Sequence, residues 1–125
     1  LGLAFQLQDD YLDTFGDQAT FGKKIGGDIL EDKKTILYLL ALKGSDKEQA
    51  NELRSLLGGN NILKKKEKID RVKILFEKTS AKSSTRDLIK YHSNLADVEL
   101  EKLSINKDQK SRFRDLKNWL INRTY

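Results

Sequence analysis

The sequence predicts an all-α protein with about six helices, and three observations support that prediction. The 125 residues contain no Pro, few stretches in which β-branched and polar residues alternate, and many Leu, Lys, Glu and Asp. Apolar residues recur every three or four positions, which is the spacing of one helix face. With 38% hydrophobic residues, a chain of this length suits one domain with a modest core.

Two helices separated by a loop are predicted in the first third of the chain. A helix is expected over residues 1–14 and a second over residues 28–44, because both carry apolar stripes. Residues 15–27 contain four glycines and predict a long loop. The apolar positions are Leu3, Leu7 and Tyr11 in the first helix and Ile29, Ile36, Leu37, Leu40 and Ala41 in the second.

Four further helices are indicated by capping patterns and polar breaks. Ser45 with Glu48 predicts a capping box, in which two side chains accept hydrogen bonds from backbone amides at a helix start. The third helix should end near residue 57 and the fourth near residue 79. Later capping signals are Ser84 with Asp87 and Asn106 with Gln109. The expected inward residues are Ile69, Val72, Leu75 and Phe76, then Ile89, Ala96, Leu100 and Leu103, then Phe113, Leu116, Trp119 and Leu120.

The composition excludes several classes of site. Because there is no Cys and the only histidine is His92, disulfides and zinc sites are ruled out, and any metal must be held by oxygen. No apolar run reaches the roughly 20 residues that span a bilayer, and we expect a cytoplasmic protein. The net charge of +5 does not indicate nucleic acid, because the Lys-rich residues 64–73 are interrupted by Glu67 and Asp70, as on a solvated helix face.

Paired carboxylates near the start of the chain form the first candidate site. On a helix, Asp9 and Asp13 lie one turn apart on the same face, about 6 Å along the axis. Such a pair is either exposed to solvent or binds a cation, and the apolar residues around it favour the second. Mg²⁺ suits this pattern, because it takes one or two protein carboxylates and completes its shell with water and phosphate oxygens.

The glycine-rich loop adds cations to this site. Lys23 and Lys24 lie between Gly22 and Gly26, where glycines permit backbone conformations closed to other residues. Asp28 adds a further carboxylate after the loop, and Lys33 follows it in the sequence. Carboxylates for metal and ammonium groups for phosphate together predict a metal-bridged diphosphate site. An isolated DDxxD pattern occurs often by chance in acidic helices, so this prediction depends on the combination.

The combined pattern resembles a known family. An FQxxDDxxD segment begins at Phe5, a GDxxxxGK segment begins at Gly16, and a GxDIxxxKxT segment begins at Gly26. Together they look like the second aspartate-rich region of the trans-isoprenyl diphosphate synthases, the farnesyl and geranylgeranyl diphosphate synthase group. The close match covers about residues 1–42, and the remaining chain agrees only as amphipathic helices.

The resemblance implies the all-α isoprenoid synthase fold and a metal-dependent prenyl transfer. Family members use Mg²⁺ to ionise an allylic diphosphate, which isopentenyl diphosphate then attacks to give a product five carbons longer. Asp9 matches the direct metal ligand of the motif. Asp10 and Asp13 match residues close to the metal, and Asp28 matches an acidic residue on the metal side.

The same resemblance implies roles for residues on the substrate side. Lys23 matches a lysine that contacts the allylic diphosphate, and Lys33 matches a second lysine near that group. Lys24 is an alternative to Lys23, because some members have one residue fewer in this segment. Gln6 falls where the family keeps a polar residue facing the cavity.

The departures from the family pattern shape the remaining expectations. The first aspartate-rich motif, the isopentenyl diphosphate site and the positions that set product length are all missing. We therefore expect residues 1–125 to be the C-terminal part of a single synthase domain, inactive alone and homodimeric as the full-length protein. A non-catalytic helical partner subunit or interaction module is the alternative, although the presence of the aspartates and lysines argues against it.

Overall fold

Helices account for all the regular structure in the described residues. The computed structural model describes residues 2–17, 25–60 and 62–122. Within these ranges there is no strand, and the helices are α1 (Gly2–Phe15), α2 (Gly27–Leu30), α3 (Ile36–Gly44), α4 (Lys47–Leu56), α5 (Lys65–Lys78), α6 (Ala81–Glu101) and α7 (Lys107–Asn122). The predicted all-α class is confirmed, and the described ranges contain seven helices. Across the described ranges, no helix combines the length and apolar character that crossing a bilayer requires.

The longest helix, α6, organises the bundle. Its 21 residues extend about 31 Å at 1.5 Å per residue, and it packs against α1, α3, α5 and α7. The main core joins α2 to the start of α6 through Ile29, Leu37, Tyr38, Ala41, Leu53, Leu56, Leu57, Val72, Leu75, Phe76 and Ala81. A second cluster joins α1 to α6 through Leu7, Tyr11, Leu12 and Ile89. Phe15 packs against both clusters, so the end of α1 lies where the two cores meet.

The prediction of one continuous second helix over residues 28–44 is wrong. The chain forms α2, breaks, and begins again as α3 at Ile36. The break follows from Asp32, whose φ of 55° lies in the left-handed region that an α-helix cannot continue through. Apolar spacing did not reveal the break, because Ile29, Ile36 and Leu37 keep a helical period across it.

The predicted helix starts have mixed outcomes. The capping box of Asn106 with Gln109 is confirmed by reciprocal hydrogen bonds of 2.8 and 3.2 Å. The box at the start of α4 uses Asp46 and Gln49 instead of Ser45 and Glu48, which corrects that prediction by one residue.

The predicted start of the fifth helix is also wrong. Helix α6 begins at Ala81 rather than after Ser84, and its N-cap Ser80 has a φ of 64°. Because Ala81 is completely buried in the core, packing sets this start rather than a side-chain cap.

The orientation of α7 differs from the prediction. Phe113, Leu116 and Trp119 are each at least half exposed, whereas Lys117 is only 6% exposed. The Lys117 ammonium donates to Asp97 Oδ2 on α6 at 2.7 Å, whereas Phe113 and Leu116 line an open cleft beside α6. Periodicity located the stripe correctly but could not tell which side of the helix its neighbours would cover.

Other inward positions follow the prediction more closely. Val72, Leu75 and Phe76 of α5 are buried in the main core, as are Leu7 and Tyr11 in the second cluster. Two terminal positions of predicted stripes, Leu3 and Leu103, are about half exposed. The remaining predicted positions are buried or half-buried: Ile69, Ile89, Ala96, Leu100 and Leu120.

We predict that Gly44→Ala destabilises the protein although alanine is the better helix former. An added Cβ at Gly44 would fall inside contact distance of the Thr79 carbonyl oxygen, where the end of α3 meets the end of α5. Overpacking of this kind costs about 1–3 kcal/mol. Urea unfolding of the protein that carries this chain measures the change.

Gly2→Ala is the matched control, because nothing lies within 4 Å of an added Cβ there. Its free energy of unfolding should stay within about 0.5 kcal/mol of the wild type. Equal stability of the two variants would contradict the predicted close approach of α3 to α5.

Candidate functional site

Four polar residues form one face of α1. At about 100° per residue, Gln6, Asp9, Asp10 and Asp13 fall within a sector about 100° wide, which we call the acidic face. The side of α1 that packs into the bundle carries Ala4, Leu7, Gln8, Tyr11, Leu12 and Thr14. Burial of the apolar side therefore fixes the rotation of α1 and determines where the carboxylates point.

The segment that leads into α2 is attached to the end of the acidic face. The Gly26 amide donates to the Asp13 carbonyl oxygen at 2.7 Å, and the Asp28 amide donates to Asp13 Oδ1 at 2.9 Å. Gly26 has a φ of 90°, and an added Cβ there would lie 2.6 Å from Ile69. Both the backbone conformation and the close packing thus require glycine, and the result places Asp28 beside Asp13.

The environment of Asp10 disfavours its ionised form. Burial raises the pKa of the Asp10 carboxyl above its ordinary value, and the negative charges of Asp28 and Asp9 act in the same direction. A hydrogen bond from Gln6 Nε2 at 3.1 Å and the positive charge of Lys33 lower the pKa and offset part of this effect.

The pKa of Asp13 is raised for the same principal reason, which is burial. The hydrogen bond from the Asp28 amide and the charge of Lys33 lower it, whereas the charges of Asp28 and Asp10 raise it. Two neighbouring carboxyls that both resist ionisation would gain from a nearby cation.

A lysine reaches this cluster from the α2–α3 break. Lys33 Nζ lies 3.7 Å from Asp28 Oδ1, and the lysine side chain is 52% exposed. Its ammonium group is therefore held near the acidic face by a long ion pair and still has room to move toward a bound anion.

The structure brings together most of the predicted site residues. Asp10, Asp13, Asp28 and Lys33 influence one another electrostatically, and the charge of Asp9 acts on Asp10. Gln6 lies on the same face and binds Asp10. The predicted phosphate-binding residues Lys23 and Lys24 lie outside the described residues.

The donor set fits a hard divalent cation that takes only part of its coordination from this chain. All candidate ligands are carboxylates, and the neighbouring Asp10 and Asp13 are destabilised when ionised. No group of three or more carboxylate or imidazole residues in residues 2–17, 25–60 and 62–122 could hold a metal alone. Mg²⁺ needs only one or two protein carboxylates and takes its remaining ligands from water and phosphate.

Two clefts formed by described residues lie on other sides of the bundle from the acidic face. A cleft of about 580 Å³ is lined by Gln8 and Tyr11 of α1 together with residues of α6 and α7. Another of about 420 Å³ lies between α6 and α7. Among the described residues, neither of these two clefts is lined by the aspartates of α1.

Two residues near the site were missed by sequence reasoning. Asp32, which directly precedes Lys33 in the chain, forms an ion pair with Lys68 of α5. A signal was present, because Lys68 precedes Val72 and Leu75 at helical spacing on the inward face of α5. A lysine at such a position implies a buried partner.

Comparison with known proteins relates this arrangement to one family. Residues 1–78 match the family model described as polyprenyl synthetase. The chain is 35% identical over 124 residues to the geranylgeranyl diphosphate synthase of Saccharolobus solfataricus, covering 98% of this chain and 36% of that protein. It is 48% identical over 62 residues to a short chain isoprenyl diphosphate synthase of Methanocaldococcus jannaschii, covering 50% of this chain and 19% of that protein.

Solved structures agree with these relatives over nearly the whole chain. A geranylgeranyl pyrophosphate synthase superposes with a TM-score of 0.86 at 39% identity, covering 99% of this chain and 38% of that chain. A polyprenyl synthase from Caulobacter crescentus, complexed with calcium and isoprenyl diphosphate, superposes with a TM-score of 0.85 at 30% identity, covering 99% and 37%. The chain spans 19–38% of the length of these four proteins.

We predict that Asp10→Asn raises the thermal stability of the metal-free protein at pH 7. Asn keeps an oxygen that can accept the Gln6 hydrogen bond and removes a charge that burial and neighbouring carboxylates disfavour. Because the pKa of Asp10 is higher in the folded protein, the free energy of unfolding falls as pH rises from about 4 toward neutrality. The Tm of the variant should exceed that of the wild type by about 1–3 °C at pH 7 and by less at pH 4.

Thermal melts in chelator at both pH values test this prediction. Asp87→Asn is the control, since it removes an exposed carboxylate on α6, and its Tm should stay within about 1 °C of the wild type. A lower Tm for Asp10→Asn at pH 7 would contradict the assignment of Asp10 as a destabilised charge.

Proposed function

This chain belongs to the polyprenyl synthetase family, and we propose that it forms one wall of the active site of a trans-isoprenyl diphosphate synthase. The protein that carries it would condense isopentenyl diphosphate with an allylic diphosphate. The observation that carries this proposal is the clustering of Asp10, Asp13 and Asp28 around the end of α1, with Lys33 within ion-pair distance.

The carboxylates of the acidic face are assigned to metal binding. Asp9 would bind Mg²⁺ directly, Asp10 and Asp13 would lie close to the metal and act in part through bound water, and Asp28 would support the same side. Mg²⁺ supplies positive charge that stabilises the diphosphate leaving group. The raised pKa values of Asp10 and Asp13 support this assignment, because a site that disfavours its own negative charge is stabilised by a bound cation. Gln6 orients Asp10 through its hydrogen bond.

The lysines are assigned to the allylic diphosphate. Lys33 is exposed enough to leave Asp28 and contact a phosphate oxygen. By their resemblance to the family motif, Lys23, or Lys24 in its place, would contact the same diphosphate from the glycine-rich loop. Ammonium groups aimed at a leaving diphosphate stabilise the charge that develops on it, and this lowers the barrier to ionisation.

The reaction follows from that distribution of charge. The C–O bond of the allylic substrate breaks, the electron pair stays on the diphosphate, and an allylic cation remains. The double bond of isopentenyl diphosphate attacks the cation to form a C–C bond, and a proton is then lost. Residues of this chain contribute by binding and neutralising the leaving group. Exclusion of water protects the cation.

The size of the chain relative to its relatives bears on the proposal. We propose that residues 1–125 are the C-terminal part of a single synthase domain, which is inactive alone and forms a homodimer as the full-length protein in the cytoplasm. The wall opposite the acidic face would come from the remainder of the domain. The retained Asp9, Asp10, Asp13 and Lys33 favour an active enzyme over a non-catalytic partner subunit.

We predict that Asp9→Ala in the protein that carries this chain lowers kcat with isopentenyl and allylic diphosphates by about 100-fold or more. The physical reason is loss of a carboxylate that holds the charge-neutralising metal. Steady-state kinetics with Mg²⁺ measures the effect, and stabilisation by Mg²⁺ with inorganic pyrophosphate in a thermal melt provides a second readout.

Asp87→Asn serves again as the control and should keep wild-type kinetics and the same stabilisation by Mg²⁺ with pyrophosphate. Wild-type kinetics in Asp9→Ala would refute the metal assignment. A wild-type protein that binds Mg²⁺ and pyrophosphate but never turns over would support the partner-subunit alternative.

We predict that the two loop lysines differ in their contribution. Lys23→Ala should raise KM for the allylic diphosphate about tenfold, because it removes one charge-assisted contact, whereas Lys24→Ala should change it less than threefold. The KM for isopentenyl diphosphate is the internal reference and should stay unchanged in both variants. If Lys24→Ala raised the allylic KM more than Lys23→Ala, the contact would be assigned to Lys24. If neither variant changed this KM, the loop would not be part of the site.

A further inference from the structure

The break between α2 and α3 has the hydrogen bonds of a Schellman motif. The Asp32 amide donates to the Ile29 carbonyl oxygen at 3.1 Å, and the Lys33 amide donates to the Asp28 carbonyl oxygen at 2.9 Å. These are the two bonds that close a helix through a left-handed residue. The backbone of Lys33 is thereby tied to the backbone of Asp28, the residue whose carboxylate its ammonium group reaches.

Asp32 occupies the position in this motif where glycine is usual. Its φ of 55° is unfavourable for most residues with a Cβ, although Asp and Asn tolerate it better than others. The side chain of Asp32 also has a specific partner in the folded protein.

The Asp32 carboxylate is paired with a buried lysine. Lys68 Nζ donates to Asp32 Oδ1, and the Lys68 residue is 8% exposed. Lys68 belongs to α5, which also carries Val72 and Phe76 of the main core. The ion pair therefore fastens the cap of α2 to a helix that contributes to the main core.

The two consecutive lysines after Asp32 point to different partners. The ammonium group of Lys34 donates to the carbonyl oxygens of Asp32, at 3.0 Å, and Leu57, and it lies 5.1 Å from the Tyr38 ring centroid. Lys34 is thus bound to the end of α4, whereas Lys33 faces Asp28 and the acidic face. The two lysines are neighbours in the sequence, and their ammonium groups have different partners.

We propose that Asp32 and Lys68 are positioning residues for Lys33. Their ion pair holds the cap of α2 in the conformation that directs Lys33 toward the carboxylates and Lys34 toward α4. The inference rests on the proposed function, in which Lys33 binds the allylic diphosphate. Neither Asp32 nor Lys68 contacts substrate in this scheme, so both act through the direction of Lys33.

Kinetics of variants in the protein that carries this chain test the proposal. Lys68→Met and Asp32→Gly remove the ion pair, and Asp32→Gly keeps the left-handed backbone accessible. Each should raise KM for the allylic diphosphate about tenfold and leave KM for isopentenyl diphosphate unchanged. The Kd of inorganic pyrophosphate with Mg²⁺, measured by calorimetry, should weaken by a similar factor.

Coupling and rescue separate positioning from general stability. The double variant of Asp32→Gly with Lys68→Met should be no worse than either single variant, because both remove the same interaction. Lys68→Arg keeps the positive charge, so its KM for the allylic diphosphate should be close to the wild-type value. The proposal would be overturned if the effects of the two single substitutions on this KM multiplied in the double variant. It would also be overturned if Asp32→Gly kept the wild-type KM for the allylic diphosphate.

Two further variants provide matched controls. Glu52→Gln breaks the Arg71–Glu52 ion pair between α4 and α5, away from the cap, and should leave both KM values unchanged. Lys34→Met should lower Tm without changing the KM for the allylic diphosphate. Lys33→Met, in contrast, should raise that KM. An equal rise in the allylic KM for Lys34→Met would contradict the separation of the two lysines.

The outcomes also separate this inference from the proposed function. If Asp9→Ala and Lys33→Met both keep wild-type kinetics, the proposed function fails. If those two variants are impaired while Asp32→Gly and Lys68→Met match the wild type, the proposed function stands and the positioning role is overturned.

Discussion

The attachment of the Gly26–Asp28 segment to Asp13 is the constraint on which the rest of the site depends. Two hydrogen bonds join this segment to the backbone and side chain of Asp13, and they bring the carboxylates of Asp13 and Asp28 together. They set the distance between the start of α2 and the end of α1. The hydrogen bond from the Asp28 amide to Asp13 Oδ1 opposes the repulsion between like charges, because a carboxylate that accepts a backbone amide is stabilised in its ionised form.

Negative charge is concentrated at the edge of the bundle and not in its core. The acidic face lies on the side of α1 that turns away from Leu7 and Tyr11, so its carboxylates are partly covered without being enclosed by apolar side chains. The raised pKa values of Asp10 and Asp13 reflect an unfavourable interaction that folding must tolerate. Proteins commonly accept such local instability where a ligand will later relieve it.

The main core and the site are connected through α2 and its cap. Ile29 anchors α2 in the main core, and the Lys68–Asp32 ion pair fastens its end to α5. In the proposed scheme, Lys68 of the core-forming helix α5 thus helps to set the direction of Lys33. Because buried ion pairs are costly to break once formed, this connection should favour a single conformation of the break.

The sequence by itself determined the helical class, the confirmed capping box at Asn106, and the grouping of Asp9, Asp10 and Asp13 on one helix face. These features depend on spacing and local hydrogen bonding, which a helix imposes within a few residues. Only the tertiary structure decided the break at Asp32, the different partners of Lys33 and Lys34, and the rotation of α7 that buries Lys117. Each of these depends on a partner distant in the chain, such as Lys68 or Asp97, and periodicity within one segment carries no information about which distant charge will meet it.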